Sequence, residues 1–394
     1  MLLSWTMARF TKDISRRQFL AQSAGIAGFG LGRMPPRSPG EIRLGFIGLG
    51  DRGRHLLGSA LRATARRPGA RVVAVCDVNP RNLKRALEIA EEASSAGLPS
   101  PSARPRVFDD YRALLDDKEV DAVFIATPVH LHVPQAVAAT AAGKHIYCEK
   151  PLAQHAEGCR EVLEAARTAE ASGRIFQIGF QRRYSPRYRS SIGFLHGDEA
   201  GRVLFLRAQW HATGDSPRDK PWIFQRDKSG DIVVEQACHQ FDIFDWVLGA
   251  PPLRACGFGG TSRHGDEPPG RNTMDHYGVV LEYPGGAKVH LSHLTFAIPD
   301  RRFSGIYELA FTERMGVDLA NALVWCERGG ARQLPAVAGK DTELAIEGFF
   351  RSVETGTTPE ASARAGYRAT LAALLCRRAI ESGRVAEWRE IEPA

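Results

Sequence analysis

One segment of the chain places ionisable residues at helical spacing among mostly apolar neighbours. The segment opens at Gly230 and ends at Gly249, ahead of a proline. Within it, Glu235, His239 and Asp242 stand at i, i+4 and i+7, which predicts one stripe of a single helix. Histidine titrates near neutral pH, so His239 is suited to act as a general base. In that interpretation Glu235 orients the imidazole or binds a neighbouring hydroxyl, and Asp242 tunes it or contacts substrate.

Two other interpretations of this stripe stay open at this point. A buried helix histidine paired with a carboxylate is common as a purely structural arrangement, because buried ionisable groups need partners. Glutamate, histidine and aspartate are also metal ligands, but this set alone is a poor indication of a metal site, and we expect none. Catalysis becomes the better interpretation only together with the motifs described below.

A glycine-rich turn supplies the second chemical pattern. Residues 48–53 read Gly-Leu-Gly-Asp-Arg-Gly, after an apolar strand and at the start of a helix, which is the setting of a dinucleotide-binding turn. Gly48 permits the tight turn, Gly50 lets the backbone approach a pyrophosphate, and Gly53 lets helix and strand pack closely. The helix N-terminus, with Asp51 and Arg52, offers free N–H groups to the phosphates. A plain glycine turn is the alternative.

Asp77 ends the second predicted strand, where the ribose of an adenosine would lie. A carboxylate at this place accepts hydrogen bonds from both ribose hydroxyls and repels a 2′-phosphate, which favours NAD over NADP. Asn79 and Arg81 nearby weaken that exclusion, so NADP is the less favoured cofactor. The alternative is that Asp77 caps the helix that begins at Pro80.

Alternating strands and helices position these residues. Apolar strands are expected at 42–47, 71–75, 120–126 and 145–148 with helices between them, which predicts a Rossmann domain (38–153) with a doubly wound parallel sheet. Longer strand-like runs follow, and Pro284-Gly285-Gly286 predicts a hairpin between 276–283 and 288–296. Residues 154–394 are therefore expected to form a largely antiparallel α+β domain. A helix at about 364–381 is expected to pack back on the first domain.

Three short motifs give the chain a family resemblance. They are Ala126-Thr127-Pro128-Val129-His130-Leu131-His132, Ala142-Gly143-Lys144-His145 and Glu149-Lys150-Pro151-Leu152-Ala153. Over about residues 41–385 the sequence resembles the Gfo/Idh/MocA oxidoreductases, the group of glucose-fructose oxidoreductase and inositol dehydrogenase. The resemblance implies an α/β Rossmann domain joined to an open-faced sheet, which carries substrate and mediates homo-oligomers (dimers or tetramers). It also implies oxidation of a secondary hydroxyl of a sugar or cyclitol.

The resemblance assigns roles to individual positions. Thr127, Pro128 and His132 would line the nicotinamide-ribose side, and Glu149 and Lys150 would lie at the nicotinamide itself. The lysine would contact both the cofactor and the reacting hydroxyl. An ammonium suits that role because it can orient a hydroxyl and stabilise a developing alkoxide.

The catalytic residues implied in this way are Lys150, His239 and Glu235. The family's usual pattern has Asp, three residues and then His, whereas the acid of this chain is Glu235, whose longer side chain bears on substrate placement more than on reaction type. Other side chains lie on segments that border the family's substrate pocket, although each alone is more often packing or surface: Arg183, Tyr184, Trp210 and Trp222.

Two reactions fit the same residues. The first is NAD-dependent oxidation of a sugar, glycoside or cyclitol by hydride transfer. The alternative is an NAD-dependent glycoside hydrolase or lyase, in which transient oxidation activates elimination of the aglycone and the same NADH restores the sugar. A non-catalytic ligand sensor is disfavoured because Lys150 and His239 are both retained.

The charge of the chain is concentrated at its beginning. Residues 1–37 carry a net charge of +5 out of the formal +7, which argues against nucleic acid as a partner. Arg16-Arg17 precede a Gly/Ala-rich stretch at 21–32, a layout that resembles a twin-arginine export signal. A disordered basic tail is the alternative, and an A-x-A cleavage site is missing. We therefore expect a protein that is periplasmic or otherwise exported by the twin-arginine route, with residues 1–37 as its leader.

Export would constrain the cofactor. Free NAD is not available outside the cytoplasm, and the twin-arginine route moves folded proteins, so the cofactor is expected to be loaded first and to stay bound. No apolar run of the sequence is long enough to span a bilayer. The seven cysteines include no C-x-x-C pair and are expected to be small buried residues.

Overall fold

The computed structural model describes residues 40–67, 69–98, 104–216, 219–326 and 329–392, and the predicted leader lies outside them. Six parallel strands form the first sheet in the order β3-β2-β1-β4-β5-β6. They are β1 (Ile42–Ile47), β2 (Ala70–Cys76), β3 (Arg106–Phe108), β4 (Ala122–Ile125), β5 (His145–Cys148) and β6 (Phe176–Ile178). The doubly wound parallel sheet is thus confirmed, and β6 extends it beyond residue 153. Ligands of such sheets bind where the strand order reverses, here between β1 and β4.

The core of this sheet explains its apolar strands. Every residue of β1 is buried, as expected for a strand covered by helices on both faces. Phe46, Phe124 and Tyr147 stack across neighbouring strands with ring centroids 4.7 and 4.9 Å apart, and Phe349 packs edge-on against the row. The covering helices are α1 (Asp51–Arg66), α2 (Pro80–Ser95), α3 (Tyr111–Asp116), α4 (His132–Ala141) and α5 (Ala156–Ala171).

A second sheet of nine strands follows in the order β14-β13-β12-β11-β7-β10-β9-β8-β15. Its strands are β7 (Val203–His211), β8 (Arg254–Gly260), β9 (His276–Glu282), β10 (Lys288–Leu294), β11 (Gly305–Thr312), β12 (Met315–Asp318), β13 (Leu323–Cys326), β14 (Ala331–Gln333) and β15 (Ala386–Glu387). All pairings are antiparallel except that of β7 with β10, and the predicted hairpin joins β9 to β10. The mostly antiparallel sheet is therefore confirmed.

The predicted helix from Gly230 to Gly249 is wrong in its middle. The structure has α6 (Pro186–Leu195) and α7 (Arg226–Ser229), and then two separate helices, α8 (Ile232–Glu235) and α9 (Cys238–Leu248), in place of the one expected. The C-terminal end is as predicted, because Gly249 adopts φ +69°. Glu235 and His239 consequently lie on different helices, so the one-stripe argument does not hold for this pair.

Two long helices complete the described part. They are α10 (Asp341–Thr355) and α11 (Ala363–Ser382), the latter capped by Ser362 and ended by Gly383 at φ +63°. Helix α11 packs against α5, α9 and β8, and its Thr370 hydroxyl accepts a hydrogen bond from the Leu152 N–H at 3.2 Å. It thereby contacts elements of both sheets.

In the part of the chain that the structure describes, no helix combines the length and apolar character needed to cross a membrane. No cluster of three histidine, cysteine or acidic residues in these ranges is arranged to hold a metal ion. Five of the cysteines are buried, whereas Cys256 is exposed and Cys326 half-buried.

Candidate active site

The three glycines of the 48–53 turn have three different surroundings. Gly48 adopts φ +86°, and a Cβ there would lie 2.8 Å from the Ala126 carbonyl oxygen. A Cβ on Gly53 would lie 1.9 Å from the Gly48 carbonyl oxygen, so only glycine lets α1 approach β1 this closely. A Cβ on Gly50 would meet no atom within 4 Å. Because α1 has no side-chain cap, its first N–H groups are available beside that open space.

Asp77 is tied to the glycine turn. Its Oδ2 accepts hydrogen bonds from the Leu49 N–H at 2.6 Å and from Asn82 Nδ2 at 3.1 Å, and its Oδ1 accepts one from the Asn79 N–H at 2.7 Å. The cap of α2 is Asn79, whose Oδ1 accepts from the Arg81 N–H. Asp77 therefore does not cap this helix but joins the ends of β1 and β2.

Asp51 and Arg52 both form ion pairs with residues distant in sequence. Asp51 is 2.5 Å from Lys220 Nζ, and this hydrogen bond lowers the pKa of Asp51. Arg52 Nε donates to Glu149 Oε1 at 2.7 Å. Burial disfavours the charged guanidinium, but the Glu149 carboxylate outweighs it and raises the pKa of Arg52. The sequence did not predict that Lys220 pairs with Asp51 or Glu149 with Arg52, because no local pattern links residues so far apart in the chain.

The Glu149 carboxylate requires a glycine beside it. A Cβ on Gly179 would lie 2.6 Å from Glu149 Oε1, so any larger residue would displace this carboxylate. Gly179 directly follows β6, which the sequence placed outside the Rossmann domain. The glycine is a site residue that sequence reasoning did not identify.

Thr127, Pro128 and His132 form a turn after β4. His132 is buried, with Nδ1 2.8 Å from the Pro151 carbonyl oxygen and Nε2 3.0 Å from that of Thr127. Burial lowers the pKa of His132, while the two carbonyls favour the protonated ring. The Thr127 hydroxyl donates to Gln135 at 2.7 Å, and Pro128 precedes a short 3-10 turn. Since both ring nitrogens are engaged, His132 joins the loops after β4 and β5 and has no nitrogen free for a ribose.

Lys150 meets Glu235 at the break between α8 and α9. Lys150 Nζ donates to the Glu235 carbonyl at 2.6 Å and to its Oε1 at 3.1 Å. In a continuous helix this carbonyl would accept the His239 N–H, so the break makes it available to the lysine. Burial alone would lower the pKa of Lys150, but the Glu235 carboxylate prevails and raises it. Glu235 thus pairs with Lys150, and of the two roles predicted for it, orienting the imidazole is not the contact seen in the structure.

His239 lies in an aromatic environment and is only 7% exposed. Its ring stacks with Trp210 at 6.5 Å and contacts Phe180 edge-on at 5.9 Å. Burial, reinforced by the charge of Lys150, lowers the pKa of His239 well below its usual value, so the ring is neutral near pH 7. Nδ1 is buried and has no hydrogen-bond partner among the described residues. Nε2 is therefore the nitrogen that can accept a proton from a ligand.

The residues proposed for substrate contact are mostly engaged within the protein. Arg183 Nε donates to the buried Asp242 at 2.8 Å. The Tyr184 hydroxyl donates to Gln177 at 2.9 Å, and its ring packs against Gly348. Trp210 lies beside His239, as expected for a site residue, but it also stacks with His293 at 5.8 Å. The structure thus brings Trp210, but not Tyr184, to the imidazole.

A buried ionic network next to His239 was also missed. The Glu308 carboxylate accepts hydrogen bonds from Arg182 at 2.6 Å, Tyr188 at 2.9 Å and Gln240 at 3.0 Å. Gln240 adjoins His239 in α9, and Arg182 contributes to the lowered pKa of the imidazole after burial and Lys150. The network fixes the helix that carries His239, and its members are too far apart in sequence to have been predicted together.

Comparison with known proteins agrees with this geometry. Residues 42–180 match the family model "Oxidoreductase family, NAD-binding Rossmann fold", and residues 194–313 match the model of the GFO/IDH/MocA C-terminal domain. Inositol 2-dehydrogenase of Paracoccus denitrificans is 34% identical over 208 residues, which are 52% of this chain and 54% of that protein. The Salmonella typhimurium enzyme is 30% identical over 207 residues, again 52% and 54%. The chain thus spans about half the length of the curated relatives it matches.

Solved structures share the fold at low sequence identity. Levoglucosan dehydrogenase, in complex with NADH and levoglucosan, superposes with a TM-score of 0.72 at 21% identity, over 88% of this chain and 99% of that one. Aldose-aldose oxidoreductase from Caulobacter crescentus gives 0.73 at 18% identity, with the same coverage. The two models describe domains of one family and together match more than half of the chain, so this chain belongs to the Gfo/Idh/MocA oxidoreductase family.

Proposed function

We propose that this member of the Gfo/Idh/MocA family oxidises a secondary hydroxyl of a sugar, glycoside or cyclitol with NAD. The observation that carries the proposal is the neutral, buried His239 within electrostatic reach of the Lys150 ammonium. A neutral imidazole can take a proton, and a fixed ammonium can stabilise the alkoxide that forms. The relatives named inositol 2-dehydrogenase support the same class of substrate.

The residues of the first sheet fit a dinucleotide. The open space at Gly50 and the uncapped N-terminus of α1 suit a pyrophosphate, and Asp77, 2.6 Å from the Leu49 N–H, suits the adenosine ribose. A carboxylate at this position supports NAD over NADP. Glu149 and Lys150 would flank the nicotinamide, which when bound accepts the hydride.

The chain's own residues would divide the proton chemistry. His239 Nε2 accepts the hydroxyl proton, while Lys150 Nζ orients the hydroxyl and stabilises the developing negative charge on oxygen. Glu235 holds the ammonium in place through its carbonyl and carboxylate. Trp210 and Phe180 keep the imidazole in a water-poor environment, which preserves its neutral form.

Paired charges around His239 favour an uncharged substrate. Each cation near the imidazole has a carboxylate partner within 3.1 Å: Lys150–Glu235, Arg52–Glu149, Arg182–Glu308 and Arg183–Asp242. Binding an acidic sugar would have to disrupt one of these pairs, of which all but Arg52–Glu149 are largely buried on both sides, and disrupting a buried pair is unfavourable. A neutral polyol or glycoside needs no such change.

Replacing His239 with Ala tests the proposal. We expect kcat/KM to fall by about 10²- to 10⁴-fold while NADH binding, followed by fluorescence, is unchanged. His196→Ala, at an exposed histidine that directly follows α6, is the control and should leave turnover intact. Because the pKa of His239 is lowered well below 6.5, the wild-type kcat/KM should stay level between pH 7 and 6.5. Unchanged turnover in the His239 variant would refute the assignment.

A panel of glycosides separates the two reactions that use these residues. NADH formation with an oxidised sugar as product supports the dehydrogenase. Aglycone release without net NADH would instead select the hydrolase or lyase reaction. Both products should therefore be followed in the same sample.

Export and cofactor retention are part of the proposal. The Arg16-Arg17 layout of the leader supports the twin-arginine route, which would carry the folded protein with its cofactor bound. Purified exported protein should then contain dinucleotide by absorbance and mass spectrometry. Recovering exported protein free of dinucleotide would refute retention.

A homo-oligomer is also proposed, through the outer face of the second sheet. Phe258 is 78% exposed there, and Val280 and Phe311 lie on the same face by strand register. Exposed apolar side chains on one face are typical of an interface between copies. Light scattering should show a dimer or tetramer.

A further inference from the structure

A short segment of the second half of the chain reaches both the glycine turn at 48–53 and the loop after β4. Residues 219–229, called the clasp here, comprise a 3-10 turn (Pro221–Phe224) and α7. Near its start, Lys220 Nζ lies 2.5 Å from Asp51 Oδ2, at the first residue of α1. At its other end, α7 packs on the turn Val129–Leu131, where His130 lies near Lys228. The clasp therefore touches the glycine turn and the loop after β4.

The clasp is fixed to the loop that precedes β9. Phe224 is buried, its carbonyl accepts the Asn272 N–H at 3.0 Å, and the Arg271 guanidinium lies 5.2 Å from its ring. The backbone N–H of Arg226 donates to Asn272 Oδ1 at 2.6 Å. The guanidinium Nη2 of Arg226 donates to the Asn272 carbonyl oxygen at 2.8 Å. Lys220 is thus presented from an anchored segment, which limits the freedom it loses on binding a ligand.

The charges at the start of α1 explain what Lys220 contributes. Asp51 is 55% exposed and interacts with Lys220 and with Arg54, each at 2.5 Å. The carboxylate stabilises the helix N-terminus, but it would repel the two negative charges of a pyrophosphate bound there. A cation from the clasp both neutralises Asp51 and lies where phosphate oxygens would compete for it.

We propose that Lys220 is a ligand of the cofactor's pyrophosphate and that the clasp slows release of the dinucleotide. The proposal rests on the proposed use of NAD and gives it a structural means of retention. On binding, the ammonium exchanges the Asp51 carboxylate for phosphate oxygens. Lys220 comes from outside the glycine turn, so the turn alone would bind the dinucleotide less tightly.

Rates of NADH release from the full chain test this role. The chain is loaded with NADH, and release is followed by fluorescence after addition of excess unlabelled NAD. Lys220→Ala should release NADH about tenfold faster or more, because it loses a charge-assisted hydrogen bond to phosphate. Asp51→Asn should release it more slowly, since it removes the competing carboxylate. Lys118→Ala should release it at the wild-type rate, because this exposed lysine precedes the amino end of β4, at the edge of the sheet opposite the glycine turn.

The double variant separates direct binding from mere neutralisation of Asp51. If Lys220 contacts the pyrophosphate, Lys220→Ala with Asp51→Asn releases NADH faster than Asp51→Asn alone. Equal rates in those two variants would overturn the proposal. So would a wild-type rate in Lys220→Ala with an unchanged Tm, and the proposed function would then still stand. Failure of the wild-type chain to bind NADH would overturn both.

Discussion

The glycine turn and the surroundings of His239 reach their geometry by different means. The turn is built from backbone within six residues, and its tightest contact joins Gly53 to the carbonyl of Gly48. His239 depends instead on side chains that come together from distant parts of the chain, such as Lys150 and Glu235, which are 85 positions apart. A site for phosphates therefore requires a local backbone shape, whereas a site for proton transfer requires the assembled fold.

The two regions also differ in their electrostatics. The turn presents uncapped N–H groups next to open space, and its acid, Asp51, is exposed. Around His239, by contrast, cations and carboxylates are buried in pairs. Open N–H groups suit a charged ligand, and neutralised pairs suit an uncharged one. The difference between the glycine turn and the surroundings of His239 thus matches the proposal of a charged cofactor and a neutral substrate.

The largest effect is expected in the glycine turn, where alanine substitutions at two glycines can be compared. Gly53→Ala would place a Cβ 1.9 Å from the Gly48 carbonyl oxygen, so we expect loss of dinucleotide binding and destabilisation of about 1–3 kcal/mol or more. Gly50→Ala meets no atom within 4 Å in the structure, and its φ of −60° suits alanine. It should unfold at the wild-type temperature and weaken only dinucleotide binding. Equal losses of stability in the two variants would contradict the contrast between these glycines.

The next largest effect is expected near His239, when the ammonium of Lys150 is removed. Lys150→Met keeps much of the side-chain length but removes the ammonium, so we expect kcat/KM to fall by about 10²- to 10³-fold, the usual effect of losing one such donor. Lys150→Arg restores the charge but not the point contact with the Glu235 carbonyl, and it should recover only part of the rate. Steady-state kinetics with saturating NAD, together with NADH titrations, checks both variants. A methionine variant with wild-type kcat/KM would remove Lys150 from the proposed mechanism.

The same contrast explains what the sequence could predict. The 48–53 turn, the hairpin at Pro284-Gly285-Gly286 and the helix end at Gly249 all have local signals, and the structure contains each of them. The break between α8 and α9 has none, because it falls at Gln236 and Ala237, which are good helix formers. It depends instead on the folded context, in which Lys150 takes the Glu235 carbonyl.

Site residues outside the motifs were missed for a related reason. Gly179 is a glycine because the Glu149 carboxylate lies against it, and that proximity exists only once β5 and β6 are paired. Arg52 was assigned to the cofactor from its place in the turn, but its guanidinium donates to Glu149. The sequence pattern predicted where Arg52 lies in the turn. Its partner, Glu149, could be identified only from the tertiary structure.

The smallest expected effect is the acid response of His293, a histidine of the second sheet that is stacked between two aromatic rings. His293 is fully buried between Trp210 and Tyr277, and burial lowers the pKa of its imidazole to about 3. The unfolded chain takes up that proton below about pH 6.5, whereas the folded chain does not. The unfolded state then binds more protons, so stability falls as the pH drops from about 6.5 towards 3. One such histidine contributes about 1.4 kcal/mol per pH unit within this window.

His293→Phe removes this titration and keeps an aromatic ring between Trp210 and Tyr277. Urea unfolding of the cofactor-free chain at pH 7 and pH 5 should show a smaller loss of stability in the variant, by about 2 kcal/mol at pH 5. At pH 7 the variant should be at least as stable as wild type, because both ring nitrogens of His293 lack hydrogen-bond partners among the described residues. The hydrogen bond from Lys220 lowers the pKa of Asp51, so this carboxylate also loses stability in acid, but only below about pH 4 and therefore outside the interval from pH 7 to pH 5. If wild type and variant lose the same stability between the two pH values, the acid response does not originate from His293.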